Sequence, residues 1–225
     1  MVSDRFDDAY VPDIVPDEDL AHYDRAGFGA RVGWGDTPAI VVVDLTRQFS
    51  DDDWPLGRSD VGDAAVEANA RLLSVARDHD IPLVYVRGLD RHDRFDDMTS
   101  NRVSKSTGHF DPDEGNRIRE EIEPRDDDVV LRKPRRSAFF GTRLGSLLNE
   151  YGIDTVLVTG MVTSGCVRAT VVDAFERDYR VVVPEECVAD RGQVSHQVTL
   201  FDIDMKFGDV TALDDVISTI GERDT

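Results

Sequence analysis

Lysine is almost missing from this chain: among 26 Lys and Arg residues only Lys105, Lys133 and Lys206 are lysines, against 46 Asp and Glu. The resulting formal charge of -20 repels nucleic acid and anionic membrane surfaces, which removes both from the expected partners. Cysteine is equally scarce. Cys166 and Cys187 are too few for a disulfide framework and lie in interior-like segments, so a reducing cytoplasm is the expected compartment. No stretch approaches the roughly 20 apolar residues of a membrane span, and the opening MVSDRFDDAYVPDIVPDEDL is too acidic and polar for a signal peptide. Internal repeats and low-complexity blocks are also missing.

What is present is enough for one sizeable core, since 225 residues normally need no metal or disulfide to hold together. Residues 1–22 are polar and rich in Asp and Pro and are expected to form an extended N-terminal arm, with one domain over 23–225. Acids crowd surface-like stretches such as Ser50 to Asp53 and Asp126 to Asp128. Together with the avoidance of lysine, this resembles the composition of salt-adapted haloarchaeal proteins, a property that bears on solubility rather than fold.

Along the chain, short β-branched runs alternate with segments of helical spacing. Ala39 to Val43, Ile81 to Val86, Asp128 to Arg132, Thr155 to Thr159, Arg180 to Val183 and Val210 to Ala212 read as strands, the unbroken apolar ones as strands buried on both faces. Between them, Val61 to His79 carries Val66, Ala70, Leu73 and Ala76 at helical spacing, and Thr142 to Tyr151 sets Leu144, Leu147 and Leu148 on one face. Further helices are expected at Asp113 to Glu121, Gly165 to Asp178, Val194 to Met205 and Leu213 to Ile220, and an irregular polar loop at Leu89 to His109. This alternation predicts an α/β fold: a three-layer αβα sandwich around a mostly parallel, six-stranded, Rossmann-like sheet.

Ligands of such sheets bind beyond the carboxyl ends of the strands. Three chemically compatible residues fall there: Asp44 after the first strand, Lys133 after the third, and Cys166 in the segment that follows the fourth. Cys166 opens a predicted helix, where free N–H groups, the dipole and a nearby Lys133 ammonium would favour a thiolate. Asp44 could take the thiol proton as sulfur attacks and return it to a departing amine. Spacing alone leaves open that Cys166 is simply a packed core thiol.

The segments VVVDLTRQF (Val41 to Phe49), LRKPRRSAFFGTRL (Leu131 to Leu144) and VTGMVTSGCVRATVVDAFERDYRVVVPEE (Val158 to Glu186) resemble, in order, the three signature regions of the isochorismatase-like cysteine hydrolases. The likeness runs from about Tyr23 to Val210 and implies the isochorismatase-like fold. It also implies a catalytic triad at Asp44, Lys133 and Cys166, the residues selected by strand-end position. A cis peptide joining Met161 to Val162 is implied as well, aiming the Val162 N–H, beside that of Cys166, at the substrate carbonyl oxygen as an oxyanion hole.

Within that superfamily, YDRAGFGARVGWGDTPAIVVVDLTRQFSD and CVADRGQVSHQVTLFDIDMKFGDV are similar to the N-carbamoylsarcosine amidases and the related maleamate amidohydrolases. The resemblance implies an amidohydrolase that cleaves a linear carbamoyl or amide C–N bond of a small carboxylate-bearing substrate through a cysteine thioester. It places an arginine at Arg191 to grip the substrate carboxylate with paired hydrogen bonds. By composition alone, Arg191 would be a surface salt-bridge residue. Homo-oligomers, dimeric or tetrameric, are common in the family. Nicotinamidases of the superfamily hold a metal through Asp-x-His and a second His; Asp90, His92 and His109 have the spacing, but lie too far past the strand in surroundings that do not match, so neither metal nor other cofactor is expected. His22, His79 and His196 read as surface or cap residues and Cys187 as a core thiol. Two readings compete: a vinyl ether hydrolase of the isochorismatase type, which uses no cysteine nucleophile, and a non-catalytic binding protein of the same fold.

Overall fold

A computed structural model describes residues 6–88 and 112–223. Its first helix, α1 (Asp17–Ala26), overturns the expectation of an extended arm across residues 17–22. Asp17, Glu18 and Asp19 occupy the first turn and Arg25 the last, matching the helix dipole, and Gly27 at φ 79° closes it in the left-handed region. Leu20 of α1 and Phe6 pack with Phe201 and Met205, so this segment lies on the body of the protein.

The remaining elements follow as β1 (Pro38–Val43), α2 (Ser59–Asp78), β2 (Leu83–Gly88), β3 (Val129–Lys133), α3 (Leu144–Glu150), β4 (Thr155–Met161), α4 (Arg168–Phe175), β5 (Arg180–Pro184), β6 (Val188–Ala189), α5 (Gln193–Lys206), β7 (Asp209–Thr211) and α6 (Leu213–Glu222). The strands run in the order β3-β2-β1-β4-β5-β7, with every pairing parallel. All six predicted strands lie on this path. The seventh, β6, is only two residues long and continues beside the end of β4, pairing Val188 with Gly160 and Ala189 with Met161.

Alternation along the strands builds the layers. Ala39, Val41 and Val43 of β1 point to one face, where they join Leu144 and Leu148 of α3, Val171 of α4 and Leu200 of α5. Ile40 and Val42 point to the other, against Leu72, Leu73 and Ala76 of α2 and Val216 and Ile220 of α6. Each fully buried Val, Ile or Leu contributes about 1.5–3 kcal/mol, which explains why β1 is apolar without interruption and why Val156, Leu157 and Val158 form the centre of β4.

The helix expected over Asp113 to Glu121 is instead a single turn at Pro112–Gly115 and a 3-10 turn at Glu120–Ile122. Helical spacing there is overridden by tertiary pairing. Ile118 bridges antiparallel to Thr46, Arg47 N–H donates to the Arg117 carbonyl, and the buried Asn116 side chain accepts from Gln48 at 2.5 Å. The loop that follows Asp44 is thereby held in place. The stretch Leu89 to His109, with Asp90, His92 and His109, lies outside the described residues.

Candidate active site

The chain leaves β1 for β2 and β3 on one side, then crosses to β4 on the other, so the strand order reverses between β1 and β4. In open α/β sheets this switch point is where a crevice forms. Register brings the three candidate residues to it. Val43 pairs with both Val86 and Gly160, and Gly88 pairs with Lys133, so the ends of β1, β3 and β4 lie on one rim.

Asp44 turns out of β1 at φ 49°, its N–H donating to the Val86 carbonyl at 2.8 Å. Lys133 is the last residue of β3, rather than the first beyond it. Its Nζ lies 2.6 Å from Asp44 Oδ2, and it donates to Cys166 Sγ at 3.4 Å and to the Arg135 carbonyl at 3.0 Å. All three residues are buried, with exposures of 2%, 5% and 7% for Asp44, Lys133 and Cys166. The structure therefore brings together the carboxylate, the ammonium and the thiol.

Cys166 lies not on an α-helix N-terminus but inside a wider π turn, Thr163–Val167, that leads into α4. Its carbonyl accepts from Thr170 Oγ1 at 2.7 Å, and Thr170 Oγ1 accepts from the Ala138 N–H at 3.0 Å, tying the turn that carries Cys166 to the segment after Lys133. Gly160 permits the approach of β4 to β1. A Cβ on it would meet the Val43 carbonyl oxygen at 1.9 Å, and its φ of 107° favours glycine. The peptide joining Met161 to Val162 is cis.

Electrostatics correct one expectation. Burial, reinforced by the Asp44 carboxylate and only partly opposed by the Lys133 ammonium, pushes the Cys166 thiol up to about 12, so sulfur rests protonated rather than as a thiolate. Burial lowers Lys133, but Asp44 and then Cys166 outweigh it and hold the amine above its ordinary value, as an ammonium. At rest the site is a buried ion pair with a neutral thiol beside it. The adjacent Asp44 carboxylate is the group placed to take a proton from this sulfur.

Arg191 is exposed, two residues beyond β6. Its Nε donates to the Leu56 carbonyl at 3.0 Å and its guanidinium lies over the Phe49 ring at 5.9 Å, on the turn that follows Asp44. Among the described residues its terminal nitrogens make no hydrogen bond and no acid pairs with it. Cys187 is fully buried, and burial, then Glu186, raises its thiol strongly.

Three residues near the nucleophile escaped sequence reasoning. The buried Asp190 accepts from Ser164 N–H and Oγ and from Gly192 N–H; His196, expected as a surface or cap residue, meets Thr163 Oγ1 at 2.9 Å; Thr170 bridges as above. Burial, opposed by Asp190, lowers the pKa of His196. The only signal for Asp190 was an acid placed directly after the short apolar pair Val188-Ala189, too brief to read as a strand.

Comparison with known proteins agrees with this architecture. Residues 38–215 match the isochorismatase domain. The maleamate amidohydrolase of Pseudomonas putida is 38% identical over 196 residues, covering 86% of this chain and 91% of that protein. The N-carbamoylsarcosine amidase of an Arthrobacter species is 35% identical over 201 residues, covering 87% and 75%. Among solved structures, an isochorismatase family protein from Desulfovibrio vulgaris superposes with a TM-score of 0.74 at 27% identity, covering 83% of this chain and 100% of that one. The N-carbamoylsarcosine amidase of Thermoplasma acidophilum superposes with a TM-score of 0.64 at 28% identity, covering 79% and 97%. With the domain matched over most of its length, this chain belongs to the isochorismatase family, as a hydrolase whose named relatives include amidohydrolases.

Proposed function

We propose that this protein hydrolyses a linear carbamoyl or amide C–N bond in a small carboxylate-bearing molecule, of the N-carbamoyl amino acid type, through a thioester on Cys166. The observation that carries this reading is the Lys133 ammonium standing 2.6 Å from Asp44 and 3.4 Å from the Cys166 sulfur. Sulfur attacks the carbonyl carbon as Asp44 accepts the thiol proton, and the oxyanion is held by the N–H groups of Val162 and Cys166. Collapse of the tetrahedral adduct breaks the C–N bond, and ammonia departs with the proton from Asp44. Water then attacks the thioester, giving one proton to Asp44, which returns it to sulfur as the acyl group leaves. From an N-carbamoyl amino acid that group is released as the carbamate of the amino acid, which falls apart to carbon dioxide and the amine.

Throughout, Lys133 stays an ammonium that offsets the negative charge on Asp44 and on sulfur. Arg191 binds the substrate carboxylate, a role supported by its unpaired terminal nitrogens beside the rim. The 38% identity to a maleamate amidohydrolase favours maleamate as a second candidate, since it too joins an amide to a carboxylate. We place this activity in the cytoplasm, in a homo-oligomer with no cofactor. Ammonia release from N-carbamoylsarcosine, other N-carbamoyl amino acids and maleamate, measured in high salt, tests the reading. Cys166→Ala is expected to abolish release; activity surviving in that variant removes the sulfur from the mechanism. Arg191→Ala is expected to raise KM for carboxylate substrates about 100-fold and to leave neutral amides within about threefold; equal effects on both overturn its role.

A further inference from the structure

We infer that Asp190 is a positioning residue that fixes the nucleophile turn, an inference that rests on the proposed role of Cys166. The short strand β6 runs beside the last residues of β4 and ends at Ala189, so Asp190 emerges on the catalytic rim facing the turn that carries Cys166. Its exposure is 3%. One carboxylate oxygen, Oδ2, accepts from both the backbone N–H of Ser164 at 2.9 Å and the Ser164 hydroxyl at 2.6 Å. The other, Oδ1, accepts from the Gly192 N–H at 3.1 Å, just before α5 begins.

Ser164 precedes the nucleophile by two residues. With one carboxylate gripping Ser164 twice, the π turn is pinned there as well as through the Thr170 contact on the Cys166 carbonyl. The same carboxylate clasps the peptide beyond Arg191, so the turn that presents sulfur and the loop that presents the guanidinium are joined through one side chain. A buried acid with three donors on it holds this geometry more rigidly than a neutral group could, because charge-assisted hydrogen bonds are the stronger kind. Sulfur attack depends on near-ångström placement, and displacement by about 1 Å can cost about 100-fold in rate.

The test compares Asp190→Asn and Ser164→Ala with the unaltered protein in high salt, reading kcat and KM for the best carboxylate substrate and the rate at which iodoacetamide alkylates Cys166. Asp190→Asn is expected to lower kcat about 100-fold and to change KM less than about threefold. Alkylation is expected to become faster, because the buried thiol loses its fixed seat while the catalytic geometry is lost. Ser164→Ala, at an exposed residue, is expected to move both readouts in the same directions by about tenfold. A folded Asp190→Asn protein with kcat and alkylation both within about twofold of the parent overturns the inference, because a role confined to stability would move only the melting temperature. If Asp190→Asn does not fold, Ser164→Ala decides by the same criterion. Should no amide be hydrolysed by the parent, the proposed reaction fails separately, and the alkylation rates still test whether Asp190 holds the turn.

Discussion

The resting state of the Cys166 thiol can be measured directly. Burial and the neighbouring Asp44 carboxylate raise it from its ordinary 9.0 to about 12, leaving about a thousandth of the thiolate that a solvated thiol would carry at the same pH. Thiolate absorbs near about 240 nm, so the difference spectrum between the parent and Cys166→Ala reads its ionisation directly. No Cys166-dependent rise is expected between about pH 5 and about pH 9. Linkage supplies a second reading. A thiol whose pKa is raised on folding contributes stability that is complete below the unfolded value near 9 and is lost as pH climbs toward 12. Across that window the parent should lose up to the order of 4 kcal/mol that Cys166→Ala does not lose, measurable by urea denaturation at pH 8 and at successive steps above pH 9. Cys187 remains in both proteins and cancels. A difference spectrum with a midpoint below about pH 7 would refute the reasoning, for the sulfur would then be the anion of an ion pair with Lys133 and Asp44 would have no proton to take.

Lys133→Met is expected to cost about 3–5 kcal/mol in urea denaturation, because it leaves the buried Asp44 carboxylate without its counter-charge, and to lower kcat at least about 100-fold; a stable, active variant removes the ion pair from both roles. Gly160→Ala is expected to destabilise by more than about 4 kcal/mol or to prevent folding, since the added carbon meets the Val43 carbonyl at 1.9 Å; a loss under about 1 kcal/mol would mean that β4 can move away from β1. Raising salt from about 0.1 M to about 1 M shortens the screening length from about 10 Å to about 3 Å and should raise Tm by at least about 3 °C, given a net charge of -20; a fall in Tm counts against salt adaptation.

Much of the sheet is legible in the sequence, because a strand buried on both faces is built mainly from apolar and β-branched residues. Ala39 to Val43 and Thr155 to Thr159 announce themselves for that reason. The failures have equally local causes. Across residues 17–22 the Asp and Pro content reads as an extended arm, yet the acids suit a helix N-terminus and Leu20 finds a partner in Phe201. Around Asn116, helical spacing gave way to a bridge with Thr46 that only the folded chain can offer.

Strand ends carry chemistry in a parallel sheet, and that rule together with chemical compatibility points to Asp44, Lys133 and Cys166, though spacing by itself leaves Cys166 open as a core thiol. Their ionisation state could not be had in the same way. A helix start argued for a thiolate, whereas the fold seats sulfur in a buried π turn beside an anion, and burial prevails. Asp190 marks the same boundary. A two-residue strand has too few side chains to leave a periodic trace, so the acid at its end became meaningful only when β6 paired with β4 and set it against Ser164. Chain-local patterning thus decides which residues reach the rim, while burial and long-range pairing decide what charge they bear there and what holds them still.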